Sequence, residues 1–228
     1  MRPYYEHGGI TIYHGDCREV LPQLGTVDLV LTDPVWPNAL PELQGSENPL
    51  GLWMQAVDVF PDAARIVVWL GCQSDPGFMA AIDRKRYPFL RMMYLRRAVP
   101  SYNGRCLVTG DVAYAFGRWP ASREGARVLP GEKSAPSIPS RKQAHPAARN
   151  EDHALWLVSF WSAPGETILD PFMGSGTTLR AAKDLSRRAI GIEIEERYCE
   201  VAARRMEQEV MDLAAHAASG GGRGEVRE

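Results

Sequence analysis

Two short stretches carry the residue types from which a reactive site could be built. Residues 167–178 read Thr-Ile-Leu-Asp-Pro-Phe-Met-Gly-Ser-Gly-Thr-Thr. Ile168 and Leu169 close an apolar run of buried-strand type, Asp170 ends it, and Gly174-Ser175-Gly176 turn the chain into a helix opening near Thr177. A strand that passes through a glycine turn into a helix N-terminus makes a polar crevice at the carboxyl edge of a parallel sheet. The glycines let the backbone approach a ligand closely, and the free N–H groups attract an anionic group such as a carboxylate. The second stretch, Leu29-Val30-Leu31-Thr32-Asp33-Pro34-Val35-Trp36, is another apolar strand, ending in an acid, a proline and an aromatic ring. An Asp-Pro pair after a strand is by itself an ordinary turn. Its interest comes from the company it keeps.

The block Asp170-Pro171-Phe172-x-Gly174-Ser175-Gly176-Thr177-Thr178 closely resembles the S-adenosylmethionine motif of the DNA methyltransferases that act on exocyclic amines of adenine or cytosine. Asp33-Pro34-Val35-Trp36 is similar to that family's catalytic tetrapeptide, usually Asp-Pro-Pro-aromatic. The catalytic block precedes the cofactor block, the circularly permuted order of the family's β group. The likeness runs from about residue 10 to residue 206 and is weakest over 117–143.

The resemblance implies a Rossmann-like α/β fold, a mostly parallel doubly wound sheet with an antiparallel end strand, and S-adenosyl-L-methionine as cofactor. It implies cofactor contacts from Asp170, Pro171, Phe172, Gly174, Ser175, Gly176 and Thr177. Glu193 ends the strand after the cofactor helix, where an acid can accept both ribose hydroxyls. Asp16, followed by Cys17, matches the family's acid beside the cofactor adenine. Arg149 stands where the family has a lysine that helps hold the methionine end. On the target side, the Asp33 carboxylate and the Pro34 carbonyl would accept the two N–H groups of a base amine. Its lone pair would then point at the sulfonium methyl, so that alignment and charge complementarity supply the acceleration. The amine cannot reach this geometry inside a duplex, so the base must flip out, with Trp36 as a stacking face.

Two departures from the pattern stand out. Val35 replaces the second proline, restoring a backbone N–H, although its β-branch still favours extended backbone. The segment His145-Pro146-Ala147-Ala148-Arg149-Asn150 lacks the family's threonine and second proline. Asp33 at the head of the tetrapeptide favours N6 of adenine, since relatives acting on cytosine often carry serine there. N4 of cytosine, adenine in RNA, and a relative that binds cofactor or DNA without turnover are the alternatives. The partners expected are double-stranded DNA, a second copy of the chain and, in a restriction-modification setting, a nuclease.

The pattern of the rest supplies the elements that would hold these residues. Strands are expected at Ile10–Tyr13, Val27–Thr32, Arg65–Leu70, Phe89–Leu95, Asp111–Phe116 and Ala189–Ile194, and helices at Arg18–Leu24, Leu52–Phe60, Pro76–Arg84, Glu151–Trp161 and Glu196–Ala214. Residues 37–50 have loop chemistry and a lid's location. Residues 117–143 show no periodicity and are the expected target-recognition segment. A single methyltransferase domain over 1–216 and a disordered, glycine-rich tail over 217–228 follow.

Composition narrows the class. The chain has 228 residues, 45% hydrophobic and 24% charged, the profile of an ordinary globular domain. No apolar run approaches the roughly 20 residues of a membrane helix, and the four cysteines, Cys17, Cys72, Cys106 and Cys199, lack the spacing of a zinc site or disulfide framework. Reduced thiols in the cytoplasm are expected. The net charge of −2 hides a division. Between Arg84 and Arg149 fourteen Lys or Arg face three acids, a local net of +11, and the remaining twelve basic and 25 acidic residues leave −13 elsewhere. A basic middle on an acidic body suits a phosphate-binding face. Trp53, Trp69, Trp156 and Trp161 are expected in the core, and Arg84-Lys85-Arg86 and Arg96-Arg97 are candidates for phosphate contact.

Overall fold

The computed structural model describes residues 1–36, 41, 43–71, 74–120, 130–136 and 149–207. Cys72, residues 145–148, most of the 117–143 segment and the 217–228 tail lie outside the described residues.

The described strands form one nine-stranded sheet in the order β1-β2-β9-β8-β3-β4-β6-β5-β7. In chain order these are β1 (Tyr5–His7), β2 (Ile10–His14), β3 (Val27–Thr32), β4 (Ala63–Gly71), β5 (Phe89–Asn103), β6 (Cys106–Gly117), β7 (Glu132–Ala135), β8 (Thr167–Asp170) and β9 (Arg188–Glu193). The five central strands, β2, β9, β8, β3 and β4, are mutually parallel, while β6 runs antiparallel to both β4 and β5. Among the described residues five α-helices accompany them: α1 (Cys17–Val20), α2 (Pro49–Asp58), α3 (Glu151–Trp161), α4 (Thr177–Asp184) and α5 (Glu196–Glu207). Short 3-10 segments cover Leu21–Gln23 and Pro76–Ala81.

Both faces of the central strands are covered, which is why Val27–Thr32 reads as a near-continuous apolar run. Side chains alternate along β3. Leu29 and Leu31 join Leu157 and Trp161 of α3, Leu179 of α4 and Ala202 of α5 on one face. Val30 joins Val20 of α1, Trp53 and Ala56 of α2 and Phe78 on the other. Trp53, Trp69 and Trp161 are buried, and Trp156 packs partly buried against the first cluster.

The order of the strands fixes where a site can form. From β3 the chain winds through α2 to β4 on one side, and from β8 through α4 to β9 on the other. Between β3 and β8 the winding reverses, and a crevice opens outside their carboxyl ends.

The sheet departs from the sequence reading at its edge. The β5–β6 hairpin extends to Asn103 and Cys106, well past the strands expected at Phe89–Leu95 and Asp111–Phe116. Arg96, Arg97 and Pro100 interrupt the apolar pattern there, and the ladder itself breaks register between Arg96 and Ser101. Within the stretch expected to be featureless, Glu132–Ala135 forms β7, parallel to Tyr94–Arg97. Its sequence, Glu-Lys-Ser-Ala, has little strand preference, so the pairing partner supplies it. His153, buried on α3, stands within hydrogen-bond distance of the Arg96 and Lys133 carbonyls, its Nε2–H donating to both at 3.0 and 3.2 Å. It thereby ties α3 to β5 and β7.

Candidate active site

Asp33 follows the last residue of β3 and Asp170 is the last residue of β8. The two strands are direct neighbours, with Leu29 opposite Ile168 and Val30 opposite Leu169. One cavity of about 1160 Å³ lies at these ends. It is lined by Asp16, Cys17, Asp33, Pro34, Trp36, Arg149, Asp170, Pro171, Phe172, Gly174, Ser175, Thr177 and Glu193. Of the residues singled out from the sequence, Gly176 alone lies behind the wall. A pocket for one small-molecule ligand measures roughly 300–1,000 Å³, so this cleft has room for a cofactor and part of a second reactant.

The wall built by β8 and α4 is a tight turn. Gly174 and Gly176 sit at φ 51° and 78°, the left-handed region that glycine enters without strain. At Gly176 a Cβ would also stand 2.9 Å from the Ala202 Cβ, so glycine lets α5 press against the turn. Gly176 is the N-cap of α4, and no side chain caps the helix. Its first N–H groups are thus left to an anion. Asp170 is turned inward. It is 3% exposed, and its Oδ1 accepts from the Thr32 hydroxyl at 3.0 Å and the Phe172 N–H at 3.2 Å. Burial pushes its carboxyl up to about 7, outweighing hydrogen bonds from Thr178, Thr32 and Phe172.

Glu193 closes the far side of the turn. Its Oε2 accepts from the Gly174 N–H at 3.0 Å and its Oε1 from the Glu195 N–H at 2.8 Å. Burial raises its pKa against those backbone bonds. The Ile194 N–H is directed at the same carboxylate, so of its roughly four acceptor positions about one stays open. Asp16 caps α1 and accepts from the Arg18 N–H and guanidinium, and the hydrogen bond from the Arg18 side chain holds its carboxyl below the usual range. Cys17 is buried, which pushes its thiol up to about 12. It is an inert wall residue.

The opposite wall centres on Asp33. The Trp36 indole N–H donates to Asp33 Oδ1 at 2.8 Å. The ring is 7% exposed and packs on Phe78 at a centroid distance of 5.1 Å, so only a strip of it faces the cavity. Arg149 lies across the Asp33 carboxylate as a two-pronged fork, Nε to Oδ2 at 2.6 Å and Nη2 to Oδ1 at 2.7 Å. Its third nitrogen, Nη1, donates to Asp111 Oδ2 at 3.1 Å, and its guanidinium carbon lies 5.6 Å from the centre of the Trp69 ring. Burial alone would lower the Arg149 pKa, but the charges of Asp33 and Asp111 raise it above its ordinary value. The guanidinium expected at a cofactor's carboxylate is therefore directed at two carboxylates of the chain itself.

Asp111 was invisible as a site residue in the sequence, where it counted as one of three acids in a basic stretch and as the start of the strand expected at Asp111–Phe116. The available signal was topological. A strand antiparallel to β4 must begin at the carboxyl edge of the parallel strands, and Asp111 indeed pairs with Gly71 at the end of β4. It is 5% exposed and also accepts from Arg97 Nη2 at 3.1 Å. Of the other basic candidates, Arg84 stacks over Phe116 and Arg86 pairs with Asp62. Among the described residues no group of three His, Cys, Asp or Glu side chains could hold a metal ion, and no described helix is long and apolar enough to cross a membrane.

The orphan methyltransferase M.BamHII of Bacillus amyloliquefaciens is 40% identical over 67 residues, 29% of this chain and 25% of that protein. The type II methyltransferase M.HinfI of Haemophilus influenzae is 40% identical over 67 residues, 29% and 19% of the two chains. The matching part of this chain thus spans a quarter or less of these relatives. Among solved structures, the M1.HpyAVI–SAM complex aligns with a TM-score of 0.69 at 22% identity, covering 87% of this chain and 100% of that one. The PvuII DNA methyltransferase, cytosine-N4-specific, aligns with a TM-score of 0.72 at 18% identity, covering 95% and 93%. These likenesses establish the Rossmann-like fold of the S-adenosylmethionine-dependent methyltransferases. A family model described as DNA methylase matches residues 28–204, from the start of β3 into α5, and so contains both strand ends that frame the cleft. On that match, the chain belongs to the N6/N4 DNA methylase family.

Proposed function

We propose that this protein transfers a methyl group from S-adenosyl-L-methionine to the exocyclic N6 amine of adenine in DNA. The observation that carries the reading is the shared cavity, in which the Asp33-Pro34 acceptor pair faces the glycine turn across adjoining strands. The residues suit the cofactor by the chemistry they offer. The uncapped start of α4 suits a carboxylate, the acceptor position left on Glu193 at the cavity wall suits a ribose hydroxyl, and Phe172 and Ile192 in the lining offer apolar surface. When bound, the cofactor supplies an electrophilic methyl on a sulfonium.

The chain's own part is alignment. An exocyclic amine is a weak nucleophile because its lone pair is delocalised into the ring. Hydrogen bonds from its two N–H groups to the Asp33 carboxylate and the Pro34 carbonyl draw the nitrogen toward tetrahedral geometry and aim the lone pair along one line. Charge that grows on the nitrogen is met by a carboxylate already in place, with no covalent enzyme intermediate. The base is extruded from the duplex to reach this depth, and the strip of Trp36 that meets the cavity lies beside it. Asp33 favours adenine over cytosine. The short stretch left for reading sequence favours a homodimer on duplex DNA, which sedimentation with and without a duplex would test.

The direct experiment is methyl transfer to mixed-sequence duplex DNA and to RNA, with digestion to nucleosides and mass spectrometry. The expected product is N6-methyladenine from DNA, lost in Asp33→Ala. N4-methylcytosine would move the target to the other base, and product in RNA alone would overturn the DNA reading.

A further inference from the structure

The hydrogen bonds around Asp33 say which of its atoms is open to a substrate. A carboxylate offers about four acceptor positions. On Oδ1, one is taken by the Trp36 indole at 2.8 Å and one by Arg149 Nη2 at 2.7 Å; on Oδ2, one is taken by Arg149 Nε at 2.6 Å. One position remains, on Oδ2. Arg149 is in turn held from behind, its Nη1 donating to Asp111, whose side chain is nearly buried and also grips Arg97. Two positive and two negative side chains close into a neutral chain, Arg97–Asp111–Arg149–Asp33, that reaches from the β5–β6 hairpin to the end of β3.

We infer that Arg149 and Asp111 are positioning residues for methyl transfer: Asp111 anchors Arg149, and Arg149 fixes the Asp33 carboxylate so that Oδ2 alone is presented to the target amine. This rests on the proposed reaction, in which Asp33 accepts an amine N–H. A planar guanidinium suits the task, since its fork matches a carboxylate and leaves the third nitrogen for a second acid; an ammonium acts as a point charge and cannot span both. Three of the guanidinium's five N–H groups are directed at Asp33 and Asp111, and a measurement of cofactor affinity separates this role from a cofactor-holding one.

The test is the single-turnover rate of methyl transfer at saturating DNA and cofactor, beside cofactor affinity by calorimetry, for wild type, Arg149→Gln, Arg149→Lys and Asp111→Asn. Misplacing a reacting group by about 1 Å can cost on the order of 100-fold in rate, so Arg149→Gln should fall by about that factor and Asp111→Asn by about tenfold. Cofactor affinity should stay within about threefold of wild type in all three variants, and Arg149→Lys should recover part of the rate lost in Arg149→Gln. Arg149→Gln leaves two neighbouring acids without their shared cation and could fail to fold; the isosteric Asp111→Asn then decides alone. A wild-type rate in Asp111→Asn overturns the inference. So does a tenfold or greater loss of cofactor affinity in Arg149→Gln at an unchanged saturated rate. A wild-type protein that methylates no nucleic acid would instead strike the proposed function.

Discussion

Replacing Asp170 by asparagine should flatten a component of the protein's stability that depends on pH. The carboxyl is buried at the end of β8, and burial lifts its pKa from an ordinary 3.8 to about 7, with the nearby charge of Asp33 adding to the rise. Between those two values the folded protein holds a proton that the unfolded chain has released. Folding therefore takes up a proton, so stability falls as the pH rises through this window. The contribution is fully present below about pH 4 and gone above about pH 7. One proton is worth about 1.4 kcal/mol per pH unit, and the whole window at most on the order of 4 kcal/mol. Asparagine copies the protonated acid: its carbonyl can accept from Thr32 and Phe172, and its amide can donate toward Thr178. It does not titrate. Urea denaturation of both proteins at pH 5, 6, 7 and 8, taken as a difference, cancels the titration of other groups shared by the two. The variant should gain on wild type by about 1.4 kcal/mol per pH unit up to about pH 7, then level off. A difference that is flat from pH 5 to 8 would show that Asp170 ionises like an exposed acid, and would refute the argument from burial.

Gly176→Ala forces a side chain into the left-handed region and against Ala202 at 2.9 Å. Strain alone should cost about 1–3 kcal/mol, read as a lower urea midpoint, and cofactor affinity should fall with the turn's shape. Trp36→Phe keeps most of the ring's packing on Phe78 but removes the N–H that holds Asp33 Oδ1. A hydrogen bond to a charged group is worth about 1.5–3 kcal/mol. The single-turnover rate should drop by about tenfold to 100-fold, while cofactor affinity measured by calorimetry stays put.

The parts legible in the sequence were those decided locally. Val27–Thr32 and Thr167–Asp170 announced themselves because strands buried on both faces are apolar at consecutive positions, here Leu29-Val30-Leu31 and Ile168-Leu169. Glu151–Trp161 was readable to its ends, since Asn150 supplies the N-cap, accepting from the Asp152 and His153 N–H groups. Both motif blocks fell on those strand ends, which is why nearly all the proposed site residues meet in one cavity. What escaped was decided at a distance. β1 and β7 are short edge strands defined by the neighbours they pair with, and the outer half of the β5–β6 hairpin is an exposed ladder with no apolar period to betray it. Asp111 acquires its role only when Gly71 is placed opposite it. Arg149 sat in a recognisable position, but the two acids it would grip come from β3 and β6, separated from it by 116 and 38 residues.

The reversal of winding between β3 and β8 has a bearing on how such a cleft can arise. The ends of those strands stand one ladder spacing apart, about 4.8 Å, and that sideways interval is set by backbone pairing between neighbours. It owes nothing to which half leaves the ribosome first. A polypeptide with its two halves synthesised in the opposite order would assemble the same opening, so long as each strand found the same flank.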